Sequence, residues 1–299
     1  MNFLYKNTYL CFLSDYNSLE VALKESFGIS GSWIKKKLLN KKLLLKKVKK
    51  GEIFEFPLDV VNKGVIYPEY NGAPIDVLYS DEHVLVLDKP CDVHCHPLSY
   101  CESDNCLSFL RQAGYFNELL VNSEKYDRGL LFRLDYATSG VLFYIKSEKL
   151  YFKLRASFND VVKLKRYLAV VEGNLQNDGQ IINYLKGSGP KRSEMTVFSE
   201  SVDDSIQAKL SVKKLDYNSE HDLSLLEVDL VTGVRHQIRA QLGYLGHPIL
   251  GDTLYGGKTY RRLFLHALSY SVQFENLSWV VKSNRPELFD LFFDLDSCL

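Results

Sequence analysis

No apolar run in this 299-residue chain approaches the roughly 20 residues that a bilayer-spanning helix needs, so no membrane anchor is expected. The opening residues, MNFLYKNTYLCFLSD, lack a basic segment followed by a long apolar stretch, which is the pattern of a secretory signal. Net charge is lacking too. The 37 Lys and Arg balance 37 Asp and Glu, so this is not a protein basic over its whole length. The six cysteines are dispersed and include no C-x-x-C pair; reduced thiols in a cytosol are expected rather than a disulfide framework. There is no internal repeat and no low-complexity tail. These absences leave a cytoplasmic globular chain, and its 46% hydrophobic content suffices for a sizeable core without disulfide or metal staples.

The zero net charge hides an uneven distribution. Residues 35 to 50, KKKLLNKKLLLKKVKK, are mostly lysine and leucine, whereas the last stretch, PELFDLFFDLDSCL, is acidic and apolar. Near the start, SLEVALKESFG has helical apolar spacing and SWIKKKLLNKK reads as a second helix ending near Asn40. LLLKKV reads as a short strand, and KKGEIFEFPLDV as a turn and a second strand. Two readings stand for the lysines, Lys35, Lys36 and Lys37 among them. They form a solvated basic helix face, or they grip an RNA backbone. Residues 62 to 74, NKGVIYPEYNGAP, have linker composition and divide the chain into a basic domain, 1–66, and a larger one, 67–299.

In the larger domain IDVLYSDEHVLVLDKP reads as two strands around a turn, LSFLRQAGYF as a helix, and VLFYIKS as a strand. EKLYFKLRASFND follows as an amphipathic helix and KRYLAVVEG as another strand. AKLSVKKLDY and LSLLEVDLV read as paired strands, RHQIRAQLGYLG as a helix closed by Gly246, and FLHALSYSVQF as a strand. Strands adjacent in sequence, with helices between only some of them, predict an α+β fold: a mixed, mostly antiparallel curved sheet rather than a doubly wound parallel one.

The stretch FRLDYATSG, residues 132 to 140, poses the functional question. Alone, Asp135 is the polar residue of a turn, because aspartates there usually bond their own backbone. Its companions alter that reading. VLVLDKPCDVHCHP, RGLLFRLDYATSG, KRYLAVVEG, VTGVRHQIRAQLGYLGHPILGDTLYGG and LFLHALSY occur in this order over about residues 75 to 280. Together they resemble the RluA family of RNA pseudouridine synthases. The segment in front resembles a shortened S4-type RNA-binding domain without its usual Asn-Gly turn.

The resemblance implies isomerisation of uridine in RNA. The bond from ribose C1′ to N1 breaks, the uracil turns, and C5 bonds to C1′. The chemistry needs no cofactor and no metal. Asp135 matches the family's catalytic aspartate, which attacks sugar or base or removes a ribose proton. Arg239 matches the arginine that pairs with it; a carboxylate in a dry pocket otherwise becomes a poor nucleophile. Tyr167 matches the tyrosine that lies against the base. Leu265, before His266-Ala267, matches an apolar residue packed by the base. Arg133 matches an arginine that contacts RNA and fills the space a flipped base leaves. Ribosomal RNA is the leading partner by this resemblance and transfer RNA the next, and nothing demands more than a monomer.

The chain also departs from the pattern. Phe132 stands where the family has histidine, and Cys91-Asp92 where Ala-Gly or Ser-Gly is usual. CDVHCHPLSYCESDNC gathers four cysteines and two histidines, which admits a zinc site as an alternative to reduced thiols in a variable loop. A catalytically silent RNA-binding or assembly factor that keeps the fold is the second alternative.

Overall fold

The computed structural model describes residues 7–27, 31, 34, 40–57, 66, 69–98, 102–123, 125–176, 178–190, 193–284 and 286–293. The chain forms two compact units. One comprises residues 1–71, 96–114 and 124–126; the other comprises 72–95, 115–123 and 127–299.

In the first unit β1 (Asn7–Cys11) pairs antiparallel with β2 (Ile53–Pro57). Between them lie α1 (Leu19–Phe27) and the short α2 (Lys41–Leu44). Leu19, Ala22 and Leu23 are fully buried, at the i, i+3, i+4 spacing that makes one stripe of a helix. They meet Phe12, Ile34, Leu44, Val48, Phe54 and Phe56 in one small core. The strand expected at LLLKKV is absent. Asn40 accepts hydrogen bonds from the backbone N–H groups of Lys42 and Leu43, and so starts a helical turn where the end of a helix was expected. Val48 of that stretch forms an isolated β-bridge to Tyr16, and the Lys46 carbonyl accepts from the Leu19 N–H at 2.8 Å. Lys35, Lys36 and Lys37 lie outside the described residues.

The second unit is built on a large sheet. Its strands are β3 (Asp76–Ser80), β4 (Val84–Lys89), β5 (Ser139–Ile145), β6 (Val162–Glu172), β7 (Gly179–Ser188), β8 (Glu194–Phe198), β9 (Ile206–Asn218), β10 (Leu223–Leu230), β11 (Leu265–Phe274) and β12 (Leu277–Lys282). Their spatial order is β3-β4-β5-β11-β6-β10-β9-β7-β8, with β12 against β11. Only β5 and β11 run parallel, through Ser139–His266 and Gly140–Ala267; the other pairings are antiparallel. The sheet is therefore mixed and mostly antiparallel. Every residue of β5 is buried, as a central strand covered on both faces requires. Three strands of this unit, β7, β8 and β12, go beyond those anticipated from the sequence, as does β1 of the first unit.

Gly140 shows how tightly the centre is built. Its φ is +114°, and a Cβ there would lie 2.2 Å from the carbonyl oxygen of Ala267. The glycine of Thr-Ser-Gly is thus demanded by the parallel contact of β5 with β11.

Candidate active site

Asp135 occupies the loop that leads into β5. Phe132 and Leu134 are buried, whereas Arg133 and Tyr136 are exposed and Asp135 is half-buried. The loop's backbone is held at several residues. Arg155 Nη1 donates to the Leu131 carbonyl at 2.8 Å, and Thr138 N–H to the Asp135 carbonyl at 3.1 Å. The buried Cys95 thiol donates to the Leu134 carbonyl and accepts from the Leu134 N–H, at 3.3 and 3.4 Å. Lys89 is fully buried at the end of β4. Its ammonium donates to the carbonyls of Pro90, Val93 and Tyr136 at 2.9, 2.8 and 3.0 Å. One cation thus ties the turn after β4 to the loop that carries Asp135.

Further along the chain come α3 (Cys106–Gln112), α4 (Phe116–Leu120), α5 (Glu148–Ala156), α6 (Phe158–Val161) and α7 (Gln237–Tyr244), and α7 carries Arg239. The buried Gln237 fixes the start of α7. Its Oε1 accepts from Thr232 Oγ1 at 2.8 Å and from Val234 N–H at 3.1 Å, and its Nε2 donates to the Lys209 carbonyl at 3.0 Å. The spacing of Thr232, Gln237 and Arg239 therefore has a physical reason: the first two lock the turn that aims the third.

The Arg239 guanidinium serves two carboxylates. Nε and Nη2 donate to Asp252 at 2.7 and 2.8 Å, and Nη1 donates to Asp135 at 3.2 Å. Asp252 is 2% exposed. Burial pulls the guanidinium pKa down, but the paired bonds to Asp252 and the charge of Asp135 outweigh it and hold Arg239 above the ordinary arginine range. Two prongs go to the buried carboxylate and one to the half-buried one. Asp252 anchors the cation, and Asp135 shares it.

His236, before α7, adds a second contact. Its φ of +52° is left-handed, and its Nε2 lies 3.7 Å from Asp135 Oδ2. Its Nδ1 is 2.9 Å from the Tyr255 hydroxyl, which also accepts from the Met195 N–H at 3.0 Å. When the Tyr255 hydroxyl donates to Nδ1, the imidazole carries its proton on Nε2, the nitrogen that faces Asp135. Burial depresses the His236 pKa, which favours this neutral form. The Tyr255 ring also lies 5.3 Å from Arg239 Cζ.

Tyr167 lies on β6, opposite Ala267 of β11 and Val228 of β10. Its hydroxyl is hydrogen-bonded to that of Tyr270, and the Tyr270 ring stacks on Phe132 at 4.4 Å and 9°. Burial pushes both tyrosines well above the ordinary range, so both are protonated near neutrality. Leu265 is buried on β11 opposite Ala169, two residues along β6 from Tyr167.

The structure therefore joins Asp135 to Arg239 directly, sets Tyr167 and Leu265 on neighbouring central strands, and exposes Arg133 on the Asp135 loop. His236, Asp252, Tyr255 and Tyr270 were not singled out from sequence. All four belong to quoted motifs, but a motif does not say which member touches which.

The Cys/His stretch shows no metal-holding group: among the described residues no three His, Cys, Asp or Glu side chains gather in such a geometry. Cys95 is engaged with Leu134, His94 lies against Tyr136, and His96 against Tyr126. Cys101 lies outside the described residues.

The sheet and its carboxylate–guanidinium pair define a class of protein. The fold is similar to that of the human RNA pseudouridylate synthase domain-containing protein 1, with a TM-score of 0.57 and 22% identity over 74% of this chain and 88% of that one. Residues 83–244, more than half of the chain, match the family model described as RNA pseudouridylate synthase, and the chain belongs to that family. It is an RNA pseudouridine synthase, an isomerase of uridine within RNA. Among its relatives is an uncharacterized RNA pseudouridine synthase, YhcT, of Bacillus subtilis, 30% identical and covering 84% of this chain and 82% of that protein. Another is the ribosomal large subunit pseudouridine synthase D of Borreliella burgdorferi, 34% identical over 62% of this chain and 56% of that protein.

Proposed function

We propose that this synthase converts specific uridines of ribosomal RNA to pseudouridine, with Asp135 as the carboxylate that acts on the nucleotide. The observation that carries the role of Asp135 is its position. It is half-buried, close to solvent, and ion-paired at 3.2 Å with a guanidinium that a second carboxylate holds in place. Such a group is held in place by its ion pair and remains accessible to a ligand. Relatives named ribosomal large subunit pseudouridine synthase D support the choice of ribosomal RNA.

The remaining roles are those that the family resemblance implies. Arg239 pairs with Asp135 and orients it. Tyr167 and Leu265 bound the base. Arg133 occupies the stack that the flipped uridine leaves, which spares part of the unstacking cost of about a few kcal/mol. The N-terminal unit, with its lysine-rich sequence, serves as an S4-like module that grips phosphates. The enzyme works as a monomer in the cytoplasm.

The test is tritium release from RNA carrying C5-tritiated uridine, because the C5 hydrogen leaves when C5 bonds to the sugar. Total unmodified RNA from a strain lacking this protein is the substrate, and the wild type is compared with Asp135→Asn. Release by the wild type and none by the variant is expected. Equal release by both would remove Asp135 from the chemistry.

A further inference from the structure

We propose that Tyr136, braced by His94, forms a stacking platform for a nucleobase adjacent to the target uridine. The inference rests on the reading of Asp135 as the catalytic carboxylate.

Tyr136 follows Asp135 directly in the chain and is 44% exposed. At that exposure part of the ring, beside the carboxylate, is accessible aromatic surface. The ring is also braced. The His94 imidazole lies against it, with centroids 4.4 Å apart and planes inclined by 41°.

Both backbones that carry the two rings are fixed by one group. The buried Lys89 ammonium bonds to the Tyr136 carbonyl at 3.0 Å and to the Val93 carbonyl, next to His94, at 2.8 Å. A third bond, at 2.9 Å, goes to Pro90. Asp92, in the same turn, has a φ of +57°, a conformation that a tightly closed loop imposes. The aromatic pair is therefore set before any ligand arrives, which lowers the ordering cost of binding.

The ligand class follows from the reaction. Extracting a uridine from a stack uncovers the faces of the bases on either side. Phe132 and Leu134 turn inward, so the outward groups flanking Asp135 are Arg133 and Tyr136. One is a guanidinium plane and the other an aromatic ring, both groups on which bases stack. Arg133 is placed to fill the vacated position, and Tyr136 to take an adjoining base. Stacking tolerates any base, so this platform contributes affinity and orientation more than sequence choice.

The test is RNA binding as a function of salt, with total unmodified RNA as the probe and retention on a filter as the readout. Tyr136→Ala, Tyr136→Phe and wild type are compared, with thermal melting to establish that each is folded. Loss of one stacked base weakens binding by about 10- to 100-fold. Stacking releases no counterions, so the plot of log Kd against log salt should shift without changing slope. Tyr136→Phe should fall on the wild-type line. His94→Ala should shift in the same direction as Tyr136→Ala by a smaller factor.

A Tyr136→Ala line that coincides with wild type would overturn the proposal. So would a changed slope, which would mean an altered phosphate contact, or a Tyr136→Phe line as weak as Tyr136→Ala, which would assign the effect to the hydroxyl. If Tyr136→Ala does not fold, Tyr136→Leu carries the same comparison. The measurement needs no turnover. Failure of Asp135→Asn to abolish tritium release would therefore be distinguishable from failure of the platform.

Discussion

Asp252 should prove to be the structural carboxylate of the site and Asp135 the expendable one as far as folding is concerned. Asp252→Asn keeps the shape but removes the charge and turns an amide N–H₂ toward the guanidinium. The Asp252 side chain is 1% exposed and accepts two short bonds from Arg239. Breaking one side of a buried pair costs about 3–5 kcal/mol. Arg239 keeps Asp135, so the lower end, about 3 kcal/mol, applies. The Asp135 side chain is 28% exposed and takes a single bond at 3.2 Å. Pairs open to water contribute about 0.2–1 kcal/mol, and removing one of two carboxylates that share a cation relieves their repulsion. Asp135→Asn should therefore change stability by less than about 1 kcal/mol. Urea unfolding followed by the fluorescence of Trp279, in a Trp33→Phe background, reads the larger unit. Trp279 is 4% exposed and its indole donates to Asp81 at 2.7 Å, so its emission changes on unfolding. With a urea slope of about 2–3 kcal/mol per molar, the midpoint should fall by about 1–1.5 M for Asp252→Asn and by less than about 0.5 M for Asp135→Asn. Equal shifts, or the reverse order, would refute the assignment of anchor and reagent.

Two further predictions concern the centre of the sheet. Burial, reinforced by the charge of Arg262, depresses the His266 pKa from 6.5 to about 3. The folded state then binds fewer protons than the unfolded one, so this histidine's contribution is intact above pH 6.5 and declines as pH falls toward 3. The slope is about 1.4 kcal/mol per pH unit, or about 2 kcal/mol by pH 5. Urea midpoints between pH 7 and 5 should fall less steeply in His266→Gln than in wild type, and parallel curves would exclude the effect. Gly140→Ala should abolish soluble expression or cost at least about 3 kcal/mol, because the added carbon meets the Ala267 carbonyl at 2.2 Å; a melting temperature equal to wild type would exclude that contact.

Most of the architecture was legible in the chain because its strands carry strong local patterns. β4 and β5 are nearly continuous apolar runs, and α1 shows a clean stripe. β7 is different: its residues are largely half-buried or exposed, so its apolar signal is weak and its pairing with β9 supplies the order. The stretch LLLKKV has strand composition, but capping at Asn40 is a local hydrogen-bond effect that composition does not display. At the site, the ordered motifs marked Asp135 and Arg239. The anchoring of Arg239 by Asp252 was hidden, because Gly-Asp reads as an ordinary turn. Tyr270 was hidden for another reason: on an alternating strand a core tyrosine and one that holds another hydroxyl look alike.

The place of β11 has a consequence for how the molecule is made. β11, from Leu265 to Phe274, lies between β5 and β6, which precede it by about a hundred residues or more. As the chain emerges from the N-terminus onward, β5 and β6 exist for a long interval with the edges that will meet β11 still open. The sheet cannot close until the polypeptide has been extended past Phe274. Synthesis therefore leaves the half of the sheet bearing Asp135 and the half bearing Tyr167 unjoined until β11 has been made.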